Sequence, residues 1–164
     1  MWFAWQYNAA MGRKEDLNPN QILFEVSSEV TIPGGEFIDP VYKHLGHEGY
    51  PVLFSAERQR ILKECGLTLE KLESDYQIRA FVSKLIVNYL APVKEEDGVT
   101  LVTSATQPRP FELIFHHEMK TEDILDARSD CSYIILDLQN RPISVPPYLL
   151  ERLNNIGKSG SETD

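Results

Sequence analysis

The amino-acid sequence predicts an α+β fold, in which an antiparallel sheet wraps around one long central helix. The predicted elements run in the order of one strand, one long helix and then four strands. A helix packed on one face of an antiparallel sheet satisfies that order. The spacing of apolar residues changes from a helical to a strand period after Tyr76. A chain of 164 residues with 42% hydrophobic content also suits one domain with a genuine core.

The first strand and the segment after it precede the helix. Residues 22–33 are rich in apolar and β-branched side chains and predict a strand. Residues 34–35 are both glycine and predict a turn or bulge. Residues 37–42 predict a short extended segment, in which Pro40 disfavours a central ladder position because it lacks an N–H donor.

The long helix is predicted to follow this segment and to end at Gly66. Pro51 suits the first turn of a helix, where its missing N–H costs nothing, and Gly66 is a natural C-terminal stop. Apolar residues recur between them at roughly helical spacing, at Leu53, Phe54, Ile61, Leu62 and Cys65. A second short helix is predicted over residues 68–72, with Thr68 as its N-cap.

The second half of the chain predicts strands. Four segments favour strand residues, namely residues 78–90, 99–106, 111–119 and 129–138. The first of these ends at Ala91 and Pro92, and residues 139–141 predict a turn after the last. Pro146 and Pro147 then precede a short helix that is predicted to end at Leu153.

The predicted domain runs from residue 21 to residue 153. Residues 1–20 are interpreted as an N-terminal extension or leader, and residues 154–164 as a flexible polar tail. No apolar run in the sequence approaches the roughly 20 residues of a membrane-spanning helix. We therefore expect a single domain without a membrane span.

Charge and cysteine content exclude some classes of function. The chain has 16 Lys and Arg residues against 25 Asp and Glu residues, which gives a formal net charge of −9. A nucleic-acid-binding protein needs a basic face to neutralise phosphates, so this class is disfavoured. Cys65 and Cys131 have no metal-ligand spacing and are too few for a disulfide framework. We expect both to be reduced, as in a cytoplasmic protein.

The segment His44-Leu-Gly-His-Glu-Gly-Tyr50 and the helix after it resemble a known family. Residues 50–62 are similar to the helix of the 4-hydroxybenzoyl-CoA thioesterase-like family, and most of all to the bacterial Tol–Pal-associated acyl-CoA thioesterases. Tyr50 and Arg58 fall in the family's register, and His47 stands three residues before Tyr50, as in the Tol–Pal group. Residues 81–92 resemble the family's central strand, which often ends Tyr-x-x-Pro, and residues 141–146 resemble its closing Arg-Pro segment.

This resemblance implies the hot-dog fold and hydrolysis of an acyl-CoA or acyl-carrier-protein thioester. It also implies a homodimer or homotetramer with sites at the subunit interface, and no cofactor. The family's catalytic Asp normally stands ten residues before the Tyr, where this chain has Pro40, and Asp39 lies one residue further away. A bulge at residues 34–35 or at Pro40 would restore Asp39 to that place. Lys43 replaces a family glycine.

The candidate site residues follow from what thioester hydrolysis requires. The N-terminus of a helix polarises a carbonyl through its unpaired N–H groups and its dipole. Gly46 and Gly49 would let a thioester approach closely, and Glu48 and Tyr50 complete the candidate substrate-binding set. Asp39 is the candidate nucleophile or general base.

Three further residues are candidates for catalysis, and each candidate has a structural interpretation beside the catalytic one. His47 would orient the carboxylate or bind the carbonyl, and His44 and Glu57 are alternatives. Asp39 is also suited to starting a turn, and Glu57 to an ion pair with Arg58, Arg60 or a neighbouring subunit. Aromatic residues such as Phe54, Phe81 and Tyr89 are interpreted as pocket walls or as core. His116 and His117 alternate across a strand, so only one of them can face a pocket.

Two other functions remain open at this point. Dehydratases and hydratases of the hot-dog fold also use a histidine and a carboxylate near this helix. A non-catalytic acyl-thioester-binding protein is the third possibility, and the departures around Asp39 are its support.

Overall fold

The computed structural model describes residues 18–32, 35 and 37–158, and these residues follow the predicted order of elements. The elements are β1 (Ile22–Thr31), α1 (Gly49–Glu64), α2 (Leu69–Ser74), β2 (Ile78–Tyr89), β3 (Gly98–Arg109), β4 (Glu112–Thr121), β5 (Ile124–Asp137) and α3 (Pro147–Asn154). The five strands form one antiparallel sheet in the order β1-β3-β4-β5-β2. With α1 packed on its inner face, this arrangement confirms the predicted α+β hot-dog fold.

The alternation of side chains along β3 and β4 determines how the sheet holds α1. Every second residue of both strands is buried, and the residues between them are partly exposed. A strand with this period presents one apolar face to a core and one polar face to solvent. The inward residues are Val99, Leu101, Thr103, Ala105, Leu113, Phe115, His117 and Met119. Phe54 of α1 stacks on the His117 ring at 5.2 Å between centroids.

Both ends of α1 are fixed by short-range features. The helix begins at Gly49, two residues before the predicted Pro51, and ends as predicted before Gly66, whose φ of 70° is a left-handed conformation suited to glycine. Arg152 donates from Nη1 to the Cys65 carbonyl at 3.0 Å and so satisfies one of the carbonyls at this end. The Thr68 hydroxyl accepts from the Lys71 N–H at 3.3 Å, which confirms Thr68 as the cap of α2.

Two local expectations are wrong. Strand β5 begins at Ile124 rather than at residue 129, because Ile124 and Leu125 pair with β4, and Ala127 and Arg128 pair with both β4 and β2. Residues 37–42 are not extended: only Ile38 pairs, with Leu45, and residues 40–42 form a turn. Pro40 therefore carries no strand bulge. The predicted leader and the end of the polar tail fall on residues 1–17 and 159–164, and Gly34 is likewise outside the described residues.

A polar layer divides the core into two apolar clusters. One cluster surrounds the second half of α1 together with α2 and α3, and the other surrounds the first half of α1. Between them Thr103, His117 and Ser129 lie directly opposite one another on β3, β4 and β5, and all three are buried. Arg58 reaches this layer from α1. No helix in the described part of the chain is long and apolar enough to cross a membrane.

Candidate active site

The N-terminus of α1 is not capped by a side chain. Glu48 occupies the N-cap position without a side-chain hydrogen bond to the helix. The N–H of Gly46 donates to the Phe37 carbonyl at 2.7 Å, and that of Gly49 to the Gly46 carbonyl at 3.0 Å. Within the described ranges, the N–H groups of His47 and Glu48 have no acceptor. The helix therefore presents free donors and the positive end of its dipole.

The two glycines of this segment have different surroundings. A methyl group on Gly49 would lie 2.5 Å from Leu45 Cδ1, and Leu45 is buried. The three atoms nearest to a methyl group on Gly46 would be those of the Glu48 carboxylate, at 3.1 to 3.2 Å, and Glu48 is exposed. Gly49 is thus required by packing. Gly46 is less restricted by packing than Gly49, because the atoms nearest to it belong to an exposed side chain.

Asp39 lies in the hairpin that leads into α1. Its Oδ1 accepts from the N–H of Val41 at 2.8 Å and from that of Tyr42 at 2.7 Å. Hydrogen bonds from Tyr42 and then Val41 lower the pKa of Asp39, so the group is a carboxylate at neutral pH. Oδ2 accepts no hydrogen bond from the residues that the structure describes. Asp39 therefore has the predicted role in a turn, and its second carboxylate oxygen has no hydrogen bond from the described residues.

Lys43 closes the same hairpin in an unusual conformation. Its φ is 57°, and its N–H donates to the Asp39 carbonyl at 2.9 Å. A left-handed conformation is unfavourable for a residue with a Cβ and free of that cost for glycine. This gives a physical reason for a glycine at the equivalent family position.

The two candidate histidines flank the helix start. His47 is 85% exposed, and its Nδ1 lies 3.1 Å from Glu48 Oε2. His44 is half-buried, with Nδ1 3.2 Å from the Leu45 carbonyl and its ring stacked on Tyr42 at 5.8 Å. Neither imidazole is hydrogen-bonded to the Asp39 carboxylate in the described residues. His47 is the more accessible of the two to a bound substrate.

Both oxygens of the Glu57 carboxylate accept hydrogen bonds. It is 5% exposed and accepts from Ser28 at 2.8 Å and from Arg60 through Nε at 2.9 Å and Nη2 at 2.7 Å. Burial raises the pKa of Glu57, but hydrogen bonds from Arg60 and Ser28 lower it more, and the net shift is downward. Of the expected ion pairs, the one with Arg60 is present. These contacts favour the structural interpretation of Glu57.

Arg58 and His117 form a buried polar network that the sequence did not reveal. Arg58 lies 3.2 Å from His117 Nε2 through Nη1 and donates through Nε to the Tyr133 hydroxyl at 3.1 Å. His117 Nδ1 lies 2.9 Å from the Thr103 hydroxyl. Burial, and then the charge of Arg58, lowers the pKa of His117 to about 3, so the imidazole is neutral. It is a satisfied core residue, whereas His116 faces outward as the alternation predicts.

Tyr89 contacts the helix start, although the sequence placed it only as a pocket wall or core residue. Its hydroxyl donates to the His47 carbonyl at 3.0 Å. Its ring meets the Tyr50 ring edge-on, at 5.1 Å between centroids. The signal in the sequence was the Tyr-x-x-Pro ending of β2, which does not disclose the partner. Among the described residues, no group of three or more His, Cys, Asp or Glu side chains is placed to hold a metal ion.

Known proteins resemble this chain in family and in fold. The model of the Thioesterase-like superfamily matches residues 33–153. No curated protein matches the chain in sequence. The 1,4-dihydroxy-2-naphthoyl-CoA thioesterase of Synechocystis superposes with a TM-score of 0.72 at 12% identity, covering 81% of this chain and 98% of that one.

Two further solved structures have the same architecture. The probable thioesterase YbaW of Escherichia coli has a TM-score of 0.64 at 19% identity, covering 79% of this chain and 96% of its own. A hypothetical protein of Staphylococcus aureus, crystallised in complex with CoA, has a TM-score of 0.67 at 20% identity, covering 84% of this chain and 85% of its own. At these identities the similarity is one of fold.

Proposed function

Because the chain belongs to the Thioesterase-like superfamily, we propose that it hydrolyses an acyl-CoA or acyl-carrier-protein thioester to the free acid and the thiol. The observation that carries this proposal is the uncapped N-terminus of α1, which follows a hairpin that holds an ionised carboxylate. A helix N-terminus stabilises the negative charge that develops on a thioester oxygen during attack. The Synechocystis thioesterase and the CoA-bound protein of Staphylococcus aureus support a CoA substrate.

We assign the attacking role to Asp39. Its Oδ1 is held by two backbone N–H groups, and its Oδ2 is left to act as nucleophile or to activate water. A carboxylate held in one orientation loses less entropy in reaching the attacking geometry. His47, which is highly exposed, is proposed to bind or orient the substrate carbonyl, and His44 to support it.

The carbonyl is proposed to lie against residues 46–50. The nearest group to Gly46 is the exposed Glu48 carboxylate, Gly49 and Tyr50 begin the helix, and the Glu48 N–H has no acceptor among the described residues. Attack on the carbonyl carbon forms a tetrahedral oxyanion, and its collapse releases the thiolate. Water supplies the hydroxyl of the acid, and its proton is transferred to the thiolate, so no further co-reactant is needed.

Thiol release from a panel of short, medium, long and aromatic acyl-CoAs tests this function. We expect turnover by the wild-type protein and its loss in both Asp39→Ala and Asp39→Asn, with the oligomer intact. Glu57→Gln is the control and should keep turnover, because the buried Glu57 carboxylate is already paired with Arg60. Retained turnover in both Asp39 variants would remove Asp39 as the catalytic group and promote Glu57 or His47.

The same panel separates the other functions. Disappearance of an enoyl or hydroxyacyl thioester without free thiol would indicate a dehydratase or hydratase. Tight acyl-CoA binding without turnover would indicate a binding protein, which the hydrogen bonds of Asp39 within its own turn also accommodate.

We further propose a homodimer or homotetramer assembled through β2. This strand is at the edge of the sheet, and six apolar residues on or directly after it are exposed. They are Phe81, Val82, Leu85, Ile86, Tyr89 and Leu90. A long apolar edge strand left open would aggregate, so a second copy is its natural cover.

Substitution in β2 tests the assembly. Leu85→Asp should give monomers in light scattering, whereas Leu69→Asp, an exposed position on α2, should not. A Leu85→Asp variant that keeps the wild-type mass would contradict assembly through β2. We expect the enzyme in the cytoplasm, where Cys65 and Cys131 would remain thiols.

A further inference from the structure

We propose that Tyr89 is a positioning residue of this site, which orients the Glu48 N–H toward the substrate oxygen by holding the His47 carbonyl. This inference rests on the proposed thioester hydrolysis and adds a residue on β2 to a site otherwise built from residues 39–50. Tyr89 lies 42 residues from its acceptor in the sequence, and the two meet only in the folded chain.

The position of Tyr89 is itself fixed by the sheet. Tyr89 pairs with Ala127 at the end of β2. The register between β4 and β5 shifts beside Asp126, which has no partner in that ladder. The Asp126 carbonyl accepts from both Leu90 at 2.8 Å and Ala91 at 3.0 Å. A bulge of this kind bends a strand and redirects its side chains, and it anchors the residues that directly follow Tyr89.

The ring of Tyr89 is braced against the helix. The Tyr50 ring meets it edge-on at 5.1 Å, and the Tyr50 hydroxyl lies 3.5 Å from the Ala91 carbonyl. Tyr50 is 3% exposed, so it provides a fixed wall. Tyr89 itself is about half exposed, at 49%, and belongs to the β2 surface that is proposed to pair with a second copy.

The bond from Tyr89 to His47 orients a neighbouring donor through the peptide plane. The His47 carbonyl and the Glu48 N–H belong to one planar trans peptide group, in which they point in opposite directions. When the Tyr89 hydroxyl holds the carbonyl at 3.0 Å, the N–H is held pointing away from Tyr89. That N–H has no acceptor among the described residues.

A donor with no protein acceptor and a fixed direction is what an oxyanion requires. Donors that are oriented before the reaction stabilise developing charge without reorganising during it. Without the Tyr89 hydroxyl, the peptide between His47 and Glu48 would keep its position but lose its fixed tilt. We therefore expect the loss to affect turnover more than substrate binding.

Tyr89→Phe tests this inference, because it removes one oxygen and keeps the ring contact with Tyr50. For the acyl-CoA that the wild-type protein turns over best, kcat should fall about tenfold, since the donor remains but is less well oriented. KM should stay within about twofold. Tyr76→Phe is the matched control: Tyr76 stacks on Tyr148 at the other end of α1 and should leave both constants unchanged. An unchanged kcat in Tyr89→Phe would overturn the proposal.

A second measurement does not depend on turnover. The residual dipolar coupling of the Glu48 N–H, measured on the full chain, should change in Tyr89→Phe and stay at its wild-type value in Tyr76→Phe. A Glu48 coupling that is identical in wild type and Tyr89→Phe would overturn the positioning role. If the wild-type protein hydrolyses none of the thioesters, the proposed function fails, and the coupling still decides whether Tyr89 orients this peptide.

Discussion

The buried imidazole of His117 makes the stability of this protein depend on pH in a defined window. The pKa of His117 is lowered by burial and by Arg58 to about 3, whereas a histidine in an unfolded chain has a pKa of about 6.5. Between these values the unfolded state binds a proton that the folded state rejects. A folded-state pKa below the unfolded one means that stability is fully present above about pH 6.5 and is lost as the pH falls.

The size of the effect follows from the two pKa values. The free energy of unfolding should be about 2 kcal/mol lower per chain at about pH 5 than at about pH 7.5, and the loss should approach 4 to 5 kcal/mol near pH 3. The carboxyl groups with lowered pKa, such as Glu57 and Asp39, lose their contribution only below about pH 4.5. Burial raises the pKa of Asp126, so protonation of this group favours the folded state as the pH falls. Its effect on the free energy of unfolding is therefore opposite in sign to that of His117. The decline between about pH 6.5 and about pH 5 is therefore assigned to His117.

Urea unfolding followed by circular dichroism, at fixed protein concentration, measures this slope. His117→Gln should be less stable than wild type at neutral pH but should lose about 2 kcal/mol less between about pH 7.5 and about pH 5. Thr103→Val is the control, because it removes the hydrogen bond to Nδ1 and keeps the titrating ring. Equal slopes in wild type and His117→Gln would refute the conclusion that the imidazole is buried and neutral.

Three further predictions concern the segment before α1. Gly49→Ala should cost about 1 to 3 kcal/mol of unfolding free energy through overlap with Leu45, whereas Gly46→Ala should cost far less; equal costs in urea titration would contradict the packing argument. Lys43→Gly should stabilise by about 0.5 kcal/mol, because relief of the left-handed conformation exceeds the entropic cost of glycine; a lower melting temperature would count against it. Glu48→Gln should raise kcat about two- to fivefold, because it removes a negative charge beside the free N–H groups; a fall in kcat would show that the carboxylate assists the reaction.

Local pattern predicted the fold well because each element is specified by residues a few positions apart. The period of two in β3 and β4 and the turn at residues 139–141 follow from side-chain spacing and turn chemistry. The errors fell where distant contacts compete with local preference. Residues 37–42 look extended, but Asp39 bonds to two N–H groups of its own turn. The sequence pattern does not indicate the first residues of β5, because their strand conformation depends on pairing with residues of β4 and β2.

The sequence by itself determined the order of the elements, the place of the helix start and the residue types around it. Only the tertiary structure decided how those residues are buried and hydrogen-bonded. It paired Glu57 with Arg60 and Ser28, left one oxygen of Asp39 without a hydrogen bond from the described residues, and buried His117 between two apolar clusters. It also joined Tyr89 to His47 across 42 residues. Hydrogen bonding, burial and pKa depend on groups that meet only when distant segments pack, and no local spacing encodes them.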